Sequence, residues 1–384
     1  MLSCGEPSGD TYAASLARAL MARVPGIDVF GFGGPACREA GVRLVGDYTG
    51  LSVTGLTEAL RVLPATFAML RRLVAAARDT RPDVLVVIDY PDFNFRLMGR
   101  LATMGVPVVY YVTPQLWAWR PGRMQTMQRH VTLALPIFPF EEALYQQAGV
   151  AVQFLGHPLV DAVEAPSADA GDAGRRQAAV RISLGLDPGR PVVALLPGSR
   201  HNELAQLVPP IAAALPAIVA AVPAVQFVVA CAPGRSVGEF APIVAAAPAT
   251  PVVAHRTDEV LAAADVVITA SGTATAQTAL HARPMVVIYK LSPLTYALGK
   301  RLVTVDTYAM ANLIAGDRVV PELIQDDCTP EAIARETVSF LTDRVRWSRT
   351  HERLAETRGR LGAPGSTDRV ADAVLDVARR GRPS

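Results

Sequence analysis

The 384-residue sequence has few cysteines, a net charge close to zero and no obvious membrane-spanning run. Its four cysteines lie far apart without C-x-x-C spacing, which argues against a zinc site and a disulfide framework; they are Cys4, Cys37, Cys231 and Cys328. A formal charge of +2 gives no reason to expect nucleic acid as a partner. Because we find neither about 18 consecutive uncharged apolar residues nor a signal peptide, we expect a cytoplasmic chain that does not span a membrane.

Length and hydrophobic patterning predict an α/β protein of two domains. Half of the residues (51%) are apolar, and 384 residues exceed the size of one ordinary core. Strand-like and helical patterns alternate over residues 1–165, which is typical of a doubly wound domain. The same rhythm restarts over 166–345, and a helical, charged tail covers 346–384. Because little sequence precedes the turn at Gly5, we expect a truncated first strand and a start codon further upstream.

The most informative stretch is VLVVIDYPDFNFRL, residues 84–97. Its β-branched apolar run predicts a strand buried on both faces, and Asp89 and Asp92 follow that strand. In open parallel sheets, ligands bind at the carboxyl ends of strands, so an acid there is a candidate for chemistry. The alternative is that both acids cap the next helix, although a helix needs only one such cap.

Two glycine-containing turns lie near the beginning of the chain. GEPSGD opens a helix whose amino end is suited to an anion or a sugar hydroxyl, and Glu6 is its reactive candidate. Gly31, Gly33 and Gly34 resemble a dinucleotide fingerprint only loosely. Since the full G-x-G-x-x-G context is missing, we interpret them as a tight turn.

The loop TPQLWAWRPGRM follows another buried strand. Trp117 and Trp119 lie beside Arg120 and Arg123, and aromatic rings next to guanidinium groups can stack on sugar faces and hold phosphate. Packing between domains would also bury the tryptophans, so both readings stay open.

Residues Leu51 to Arg78 combine apolar side chains with several arginines, and Pro64 is expected to divide the run into two helices. An amphipathic segment of this kind can lie in a membrane interface or line a groove for acyl chains. An ordinary core-facing helix is the alternative.

Two strand–turn–helix patterns in the second half suggest phosphate binding. PVVALLPGSRHNEL places Ser199 and Arg200 after one strand, and Glu203 is positioned to cap the following helix. ADVVITASGTATAQTAL places Ser271, Gly272 and Thr273 at a helix amino end, where free amides and hydroxyls can cradle a diphosphate. Neither is a Walker loop, and each alone could be an ordinary β–α turn.

Seven motifs in order carry a family resemblance: GEPSGD, IDYPDFN, TPQLWAWR, LGHPL, LLPGSRHNE, ASGTATAQ and PMVVIYK. Together they resemble lipid-A-disaccharide synthase, a family of inverting glycosyltransferases. The resemblance implies a GT-B fold of two Rossmann-like domains facing a cleft, with a C-terminal helix returning towards the first domain. It implies that UDP-2,3-diacylglucosamine and 2,3-diacylglucosamine 1-phosphate (lipid X) give the β-1′,6 disaccharide 1-phosphate and UDP, without a metal or another cofactor.

The resemblance also implies catalytic roles. Asp89 matches the proposed base that deprotonates the acceptor hydroxyl, while Asp92 is then the structural acid. Glu6 matches an acid that binds or orients sugar. The resemblance assigns stabilisation of the negative charge on the leaving UDP to the two phosphate turns. These are formed by Ser199, Arg200, Ser271, Gly272 and Thr273.

Four further residues are predicted to bind substrate. Asn312 matches an active-site asparagine expected to hold a sugar hydroxyl or phosphate, and Trp117 and Arg120 belong to the WAWR motif. Gln277 stands where related enzymes usually have a glutamate that accepts ribose hydroxyls. Glutamine keeps an acceptor oxygen but loses the charge.

A lipid substrate would favour the membrane interpretation of Leu51 to Arg78. We therefore expect peripheral association with anionic lipid on the cytoplasmic face of the inner membrane, with Leu70 and Leu73 as contact residues. A homo-oligomer is left open. The rival functions are a UDP-sugar epimerase, a glycosyltransferase with a water-soluble acceptor, and a non-catalytic sugar-binding protein.

Overall fold

The chain folds into two compact units in a computed structural model, which describes residues 1–48, 56–116, 121–163, 169–291, 307 and 309–381. The first unit comprises Met1–Asp161 and Leu361–Ser384, and the second comprises Ala162–Arg360. The C-terminal segment therefore returns to the first unit, as predicted. It does so only from Leu361, and not from residue 346, because the preceding helix packs on helices of the second unit.

The first unit alternates strands with helices. Its strands are β1 (Leu2–Cys4), β2 (Phe30–Gly33), β3 (Arg43–Asp47), β4 (Leu85–Ile88), β5 (Val108–Tyr111) and β6 (Leu133–Leu135). Its described helices are α1 (Pro7–Arg23), α2 (Pro35–Glu39), α3 (Leu56–Thr80), α4 (Pro91–Ala102), α5 (Met124–His130), α6 (Pro139–Gln147) and α7 (Leu159–Ala162), which ends at the unit boundary, and, after the return of the chain, α16 (Ser366–Arg380).

These strands form one parallel sheet in the order β3-β2-β1-β4-β5-β6. The four residues of β4 are almost completely buried, as expected for a parallel strand covered on both faces by helices. Cys4 of β1 pairs with Ile88 of β4. The chain connections leave these two neighbouring strands in opposite directions, which makes their carboxyl ends the topological switch point of the sheet.

The second unit repeats this architecture. Its strands are β7 (Val192–Leu196), β8 (Gln226–Cys231), β9 (Val252–Ala254), β10 (Val266–Ala270), β11 (Met285–Tyr289) and β12 (Glu322–Ile324). Its described helices are α8 (Ala170–Ser183), α9 (His201–Ala221), α10 (Ala241–Ala246), α11 (Thr257–Ala263), α12 (Thr273–Leu280), α13 (Met310–Ala315), α14 (Pro330–Thr342) and α15 (Arg344–Arg360). The parallel sheet has the order β12-β11-β10-β7-β8-β9, so the switch point lies between β7 and β10. The predicted pair of doubly wound domains is confirmed.

Helix α9 corrects our statement about apolar runs. It has 21 residues, and its length and hydropathy are sufficient to cross a membrane. Its inward face packs in the core of the second unit, where Leu207, Ile211 and Leu215 are almost completely buried beside residues of β7, β8 and β10. A core helix of a folded domain passes the same test of length and composition.

Helix α3 corrects two further predictions. It is continuous from Leu56 to Thr80, with Pro64 inside it. A proline removes one helical hydrogen bond, and a helix supported by tertiary packing can continue through it. Leu70 and Leu73 are only 5% and 0% exposed and belong to the core, so they are not available to contact a membrane.

Helix α16 is fastened to the first unit by polar contacts. Arg23 at the end of α1 pairs with Asp368 and Asp372 at 2.8 and 2.6 Å. Asp161 accepts hydrogen bonds from Gly365 N at 2.6 Å and from Ser366 Oγ at 2.9 Å, so it caps the amino end of α16. Contacts from two distant parts of the first unit therefore hold α16 in place.

His157 lies where the chain returns. Its backbone N–H donates to Leu361 O at 2.8 Å, and its ring Nδ1 accepts from Leu159 N at 3.1 Å. The side chain is fully buried against Phe138, and its Nε2 has no partner among the described residues. Burial lowers the pKa of His157 from 6.5 to about 3. The folded state therefore holds a neutral imidazole.

We expect His157→Asn to flatten the acid dependence of stability. Below pH 6.5 the His157 side chain of the unfolded chain binds a proton, whereas in the folded chain it stays neutral down to about pH 3. This group therefore destabilises the folded wild type as pH falls. The effect is about 1.4 kcal/mol per pH unit. Asparagine can still accept from Leu159 N and does not titrate. Urea unfolding at pH 7, 6 and 5 measures the difference, and parallel pH dependences in the two proteins would contradict this prediction.

Candidate functional site

Glu6 and Asp89 lie on the two sides of the switch point in the first unit. Asp89 follows β4 directly and Glu6 comes two residues after β1, beyond the paired residues Cys4 and Ile88. The two loops are in close contact, because a Cβ on Gly5 would lie 2.2 Å from the ring of Tyr90. Both acids are half-buried. The structure thus brings together the two loops that carry the predicted catalytic acids.

The backbone around Asp89 is strained. Asp89 and Tyr90 both have left-handed conformations, with φ of 47° and 48°, and Val112 after β5 has φ of 56°. Asp89 N donates to Val112 O at 3.3 Å, so these unusual residues support one another. Such conformations cost about 1–3 kcal/mol each and cluster at functional sites.

Asn94 holds Asp89 in this conformation, a role that sequence reasoning missed. Its Nδ2 donates to Asp89 O at 2.7 Å, and its Oδ1 accepts from Ser3 Oγ at 2.6 Å. Tyr110 OH donates to the same Asp89 oxygen at 3.0 Å. Asn94 is completely buried inside α4. A polar residue in the apolar stripe of the predicted helix was the signal that could have identified it.

The Asp89 side chain lies near buried phenols. Burial raises the pKa of Tyr12, and the negative charge of Asp89 raises it further. The same two causes, in the same order, raise the pKa of Tyr110. Both phenols therefore stay neutral at physiological pH and are not bases.

Asp92, which the resemblance leaves as the structural acid, is not a helix cap. The N-cap of α4 is Tyr90, and Asp92 lies exposed in the first turn. Its carboxylate forms an ion pair with Arg123, whose guanidinium lies 5.3 Å from the centre of the Phe95 ring. Asp92 thus ties α4 to the turn before α5.

The glycine turn after β2 is occupied by Asp10. Its buried carboxylate accepts from the backbone N–H groups of Gly34 at 2.8 Å, Ala36 at 2.9 Å and Cys37 at 3.2 Å, so it caps α2. The turn is therefore structural. Cys4 and Cys37, which are distant in sequence, lie within 4.8 Å of this carboxylate and of each other. Hydrogen bonding to Cys37 and burial raise the pKa of Cys4, which favours the protonated thiol.

The two predicted phosphate turns flank the switch point of the second unit, and they differ in how their amides are used. After β7, Glu203 accepts from Ser199 N at 2.9 Å and from Arg200 N at 3.1 Å. The predicted capping role of Glu203 is confirmed. These two amides consequently do not face a phosphate, and the exposed Ser199 and Arg200 side chains remain the groups this turn can offer.

The turn after β10 leaves its amides open. Gly272 is the N-cap of α12 and has φ of 142°. Residues with a Cβ atom rarely adopt this conformation. Within the described residues, the backbone N–H groups of Thr273 and Ala274 have no acceptor. Thr273 is exposed, while Ser271 is half-buried. This helix end is therefore the better anion site of the two.

Gln277 lies one helical turn beyond Thr273 on α12. Its amide Nε2 donates to Asp258 Oδ1 at 2.8 Å, and its side chain is half-buried. The Gln277 side chain is therefore held next to the open helix end.

Asn312 corrects a predicted binding role. It is 1% exposed, and its amide is fully used by the loop before β12. Oδ1 accepts from Val319 N and Val320 N at 2.9 Å each, while Nδ2 donates to Val320 O and to Glu322 Oε1 at 2.9 and 2.7 Å. These contacts do not support direct binding of a sugar hydroxyl or phosphate, because each polar group of the amide already has partners. Trp117 and Arg120, also predicted to bind substrate, lie outside the described residues.

Comparison with known proteins decides the family. The Lipid-A-disaccharide synthetase family model matches residues 1–374. The chain belongs to this family. It is 42% identical over 381 residues to the lipid-A-disaccharide synthase of Geobacter sulfurreducens, covering 98% of this chain and 96% of that protein. It is 41% identical over 383 residues to the synthase of Myxococcus xanthus, covering 100% and 98%. The protein is thus a glycosyltransferase of lipid A biosynthesis.

Solved structures agree on the fold. The UDP-GlcNAc 2-epimerase of Neisseria meningitidis bound to UDP-GlcNAc has a TM-score of 0.66 at 11% identity, covering 98% of each chain. The kitacinnamycin glycotransferase has a TM-score of 0.60 at 20% identity, covering 100% of this chain and 98% of that one. These similarities confirm the GT-B architecture.

Asn94→Ala tests whether the strained backbone is held by this residue. We expect a loss of about 1–3 kcal/mol in unfolding free energy, because the buried Ser3 hydroxyl and Asp89 carbonyl lose a partner. We also expect turnover to fall about tenfold or more as Asp89 moves. Denaturant titration and a disaccharide assay measure the two effects. Tyr110→Phe, which leaves one donor to the same carbonyl, should cost less, and wild-type behaviour of Asn94→Ala would refute this role.

Proposed function

We propose that this enzyme transfers 2,3-diacylglucosamine from UDP to the 6-hydroxyl of lipid X with inversion at the anomeric carbon. The observation that carries the proposal is the carboxylate of Asp89 on a locked, strained backbone at the switch point of the first sheet. Family membership supports the substrates. An inverting displacement requires one base that is fixed in position, and this arrangement supplies it.

The reaction is a single displacement in this proposal. Asp89 takes the proton from the acceptor hydroxyl while that oxygen bonds to the anomeric carbon. The bond from this carbon to the phosphate oxygen breaks, and its electron pair leaves with UDP. Glu6, beside Asp89, orients the sugar. A fixed carboxylate of this kind contributes about 10²–10⁴-fold to such reactions.

The leaving diphosphate gains negative charge, and the second unit offers groups that stabilise it. The open amides at the start of α12 and the hydroxyls of Ser271 and Thr273 suit the diphosphate. Arg200, whose side chain is 59% exposed, supplies a positive charge at the neighbouring turn. Gln277 follows on α12 as the acceptor for ribose hydroxyls.

An epimerase is the less favoured function. The epimerase structures share the fold at 11–12% identity, whereas the synthases share about 42% of residues over the whole chain. Similarity at the lower level supports a common architecture and carries no information about the reaction.

Asp89→Asn tests the base. We expect kcat to fall at least 100-fold with little change in stability, because the amide keeps the shape of the side chain but cannot accept the proton. The measurement is formation of acylated disaccharide from UDP-2,3-diacylglucosamine and lipid X. Asp92→Asn is the matched control, since that acid pairs with Arg123, and it should retain turnover within about threefold. Retained turnover in Asp89→Asn would remove Asp89 as the base.

We further propose that an exposed stripe of α3 attaches the enzyme to the cytoplasmic surface of the membrane. Leu63 and Phe67 are 40% and 47% exposed, unusual for side chains of this size, and they lie four residues apart on one helix face. The exposed Arg71 continues this face by one more turn. Apolar side chains next to arginine suit an interface with anionic lipid.

Leu63→Glu combined with Phe67→Glu should release the protein from vesicles that contain phosphatidylglycerol. Both side chains are exposed, so the fold should be unaffected. The control, Ala75→Glu with Thr80→Glu, adds the same charge at exposed positions further along α3. Cosedimentation with vesicles measures binding. Equal binding of the wild type and of both double variants would sink the membrane proposal without affecting the proposed reaction.

A further inference from the structure

Three polar side chains meet between helix α11 and helix α12. Asp258 lies in the first turn of α11, Gln277 lies on α12, and His281 follows that helix directly. Oδ1 of Asp258 accepts from Gln277 Nε2 at 2.8 Å and lies 2.9 Å from His281 Nε2. One carboxylate oxygen of Asp258 therefore contacts both the Gln277 amide and the His281 ring.

This arrangement fixes the orientation of the Gln277 amide. An ionised carboxylate only accepts hydrogen bonds, so the amide nitrogen must face Asp258 and the carbonyl oxygen must point elsewhere. Burial opposes ionisation of Asp258, but hydrogen bonds from His281 and Gln277 outweigh it and lower its pKa. In the described part of the chain, the hydrogen bond to Asp258 is the one formed by the Gln277 side chain, and it uses Nε2 and not Oε1. Among these residues the oxygen is therefore a directed acceptor without a partner.

The position of Gln277 suggests what that oxygen accepts. Residues four apart lie on one face of a helix, about 5–6 Å from each other, so Gln277 follows Thr273 and the open amides of α12 by one turn. A nucleoside diphosphate with its phosphates at these amides has its ribose one short linkage away. Ribose presents neighbouring hydroxyl donors, which an outward carbonyl oxygen complements.

We propose that Asp258, held by His281, is a positioning residue that presents the Gln277 carbonyl oxygen to a ribose hydroxyl of the UDP-sugar. The inference rests on the proposed function, because it requires a uridine diphosphate ligand at α12. Asp258 acts only through Gln277 and does not touch the substrate. A purely structural link between α11 and α12 would affect stability without distinguishing ligands by their hydroxyl groups.

The test compares the affinities of two ligands, with and without ribose hydroxyls, across a set of variants. Calorimetry measures the dissociation constants of UDP and 2′,3′-dideoxy-UDP for the wild type, Asp258→Ala and Gln277→Ala. We expect the wild type to prefer UDP about tenfold, as one or two hydrogen bonds allow. Both variants should reduce this preference to about twofold or less while binding dideoxy-UDP nearly as well as the wild type. The double variant should lose no more than either single variant.

A charge exchange provides an independent check that keeps both side chains close to their original size. Gln277→Glu alone places two carboxylates together and should lower UDP affinity about tenfold. Adding Asp258→Asn gives the new glutamate an amide donor and should restore affinity to within about threefold of the wild type. Failure of the second substitution to restore UDP binding would overturn the proposal, as would an Asp258→Ala variant with an undiminished preference for UDP.

These outcomes are separable from failure of the proposed function. If the wild type binds neither UDP nor dideoxy-UDP at millimolar concentration, the donor assignment itself is wrong. If it binds UDP and Asp258→Ala weakens both ligands equally, the donor assignment stands and the positioning role of Asp258 is refuted. Melting temperatures of all variants show whether a change in affinity merely follows a loss of fold.

Discussion

The pairing of β1 with β4 in the first unit, and of β7 with β10 in the second, is the constraint on which the candidate residues of each unit depend. At each pairing the chain leaves two adjacent parallel strands in opposite directions, so the following loops diverge and leave an opening between them. This opening receives Glu6 and Asp89 in the first unit. In the second unit it receives the turns before α9 and α12. Strand order thus decides where the candidate residues lie before any individual side chain is considered.

Strand order alone would leave a mobile carboxylate, and the first unit removes that freedom at some cost. Two consecutive left-handed residues are unfavourable by about 1–3 kcal/mol each. Asn94, Tyr110 and Ser3 offset this through hydrogen bonds within the core, where competition from water is absent. A buried polar group on the neighbouring helix is thus the means by which the fold supports a strained, half-buried candidate residue.

The sequence predicted the architecture, both switch-point acids and the open turn at α12, because these depend on local patterns and on the rules of parallel sheets. It failed where the answer depends on tertiary partners. Helical periodicity identified the apolar face of α3 but did not say which leucines enter the core, so Leu70 and Leu73 were misplaced. Asn312 was misinterpreted for the same reason, since its partners come from a loop several residues later.

Hydrogen-bond satisfaction separates structural polar residues from those able to bind ligand, which residue type cannot do. The amides of Ser199 and Arg200 are used by Glu203, and the amide of Asn312 is used by its own loop. The amides at the start of α12 are left open among the described residues. Water satisfies such amides at an exposed helix end when no ligand is bound, and the same amides suit an anion. Of the two turns, the one at α12 is therefore the better candidate for the proposed diphosphate site.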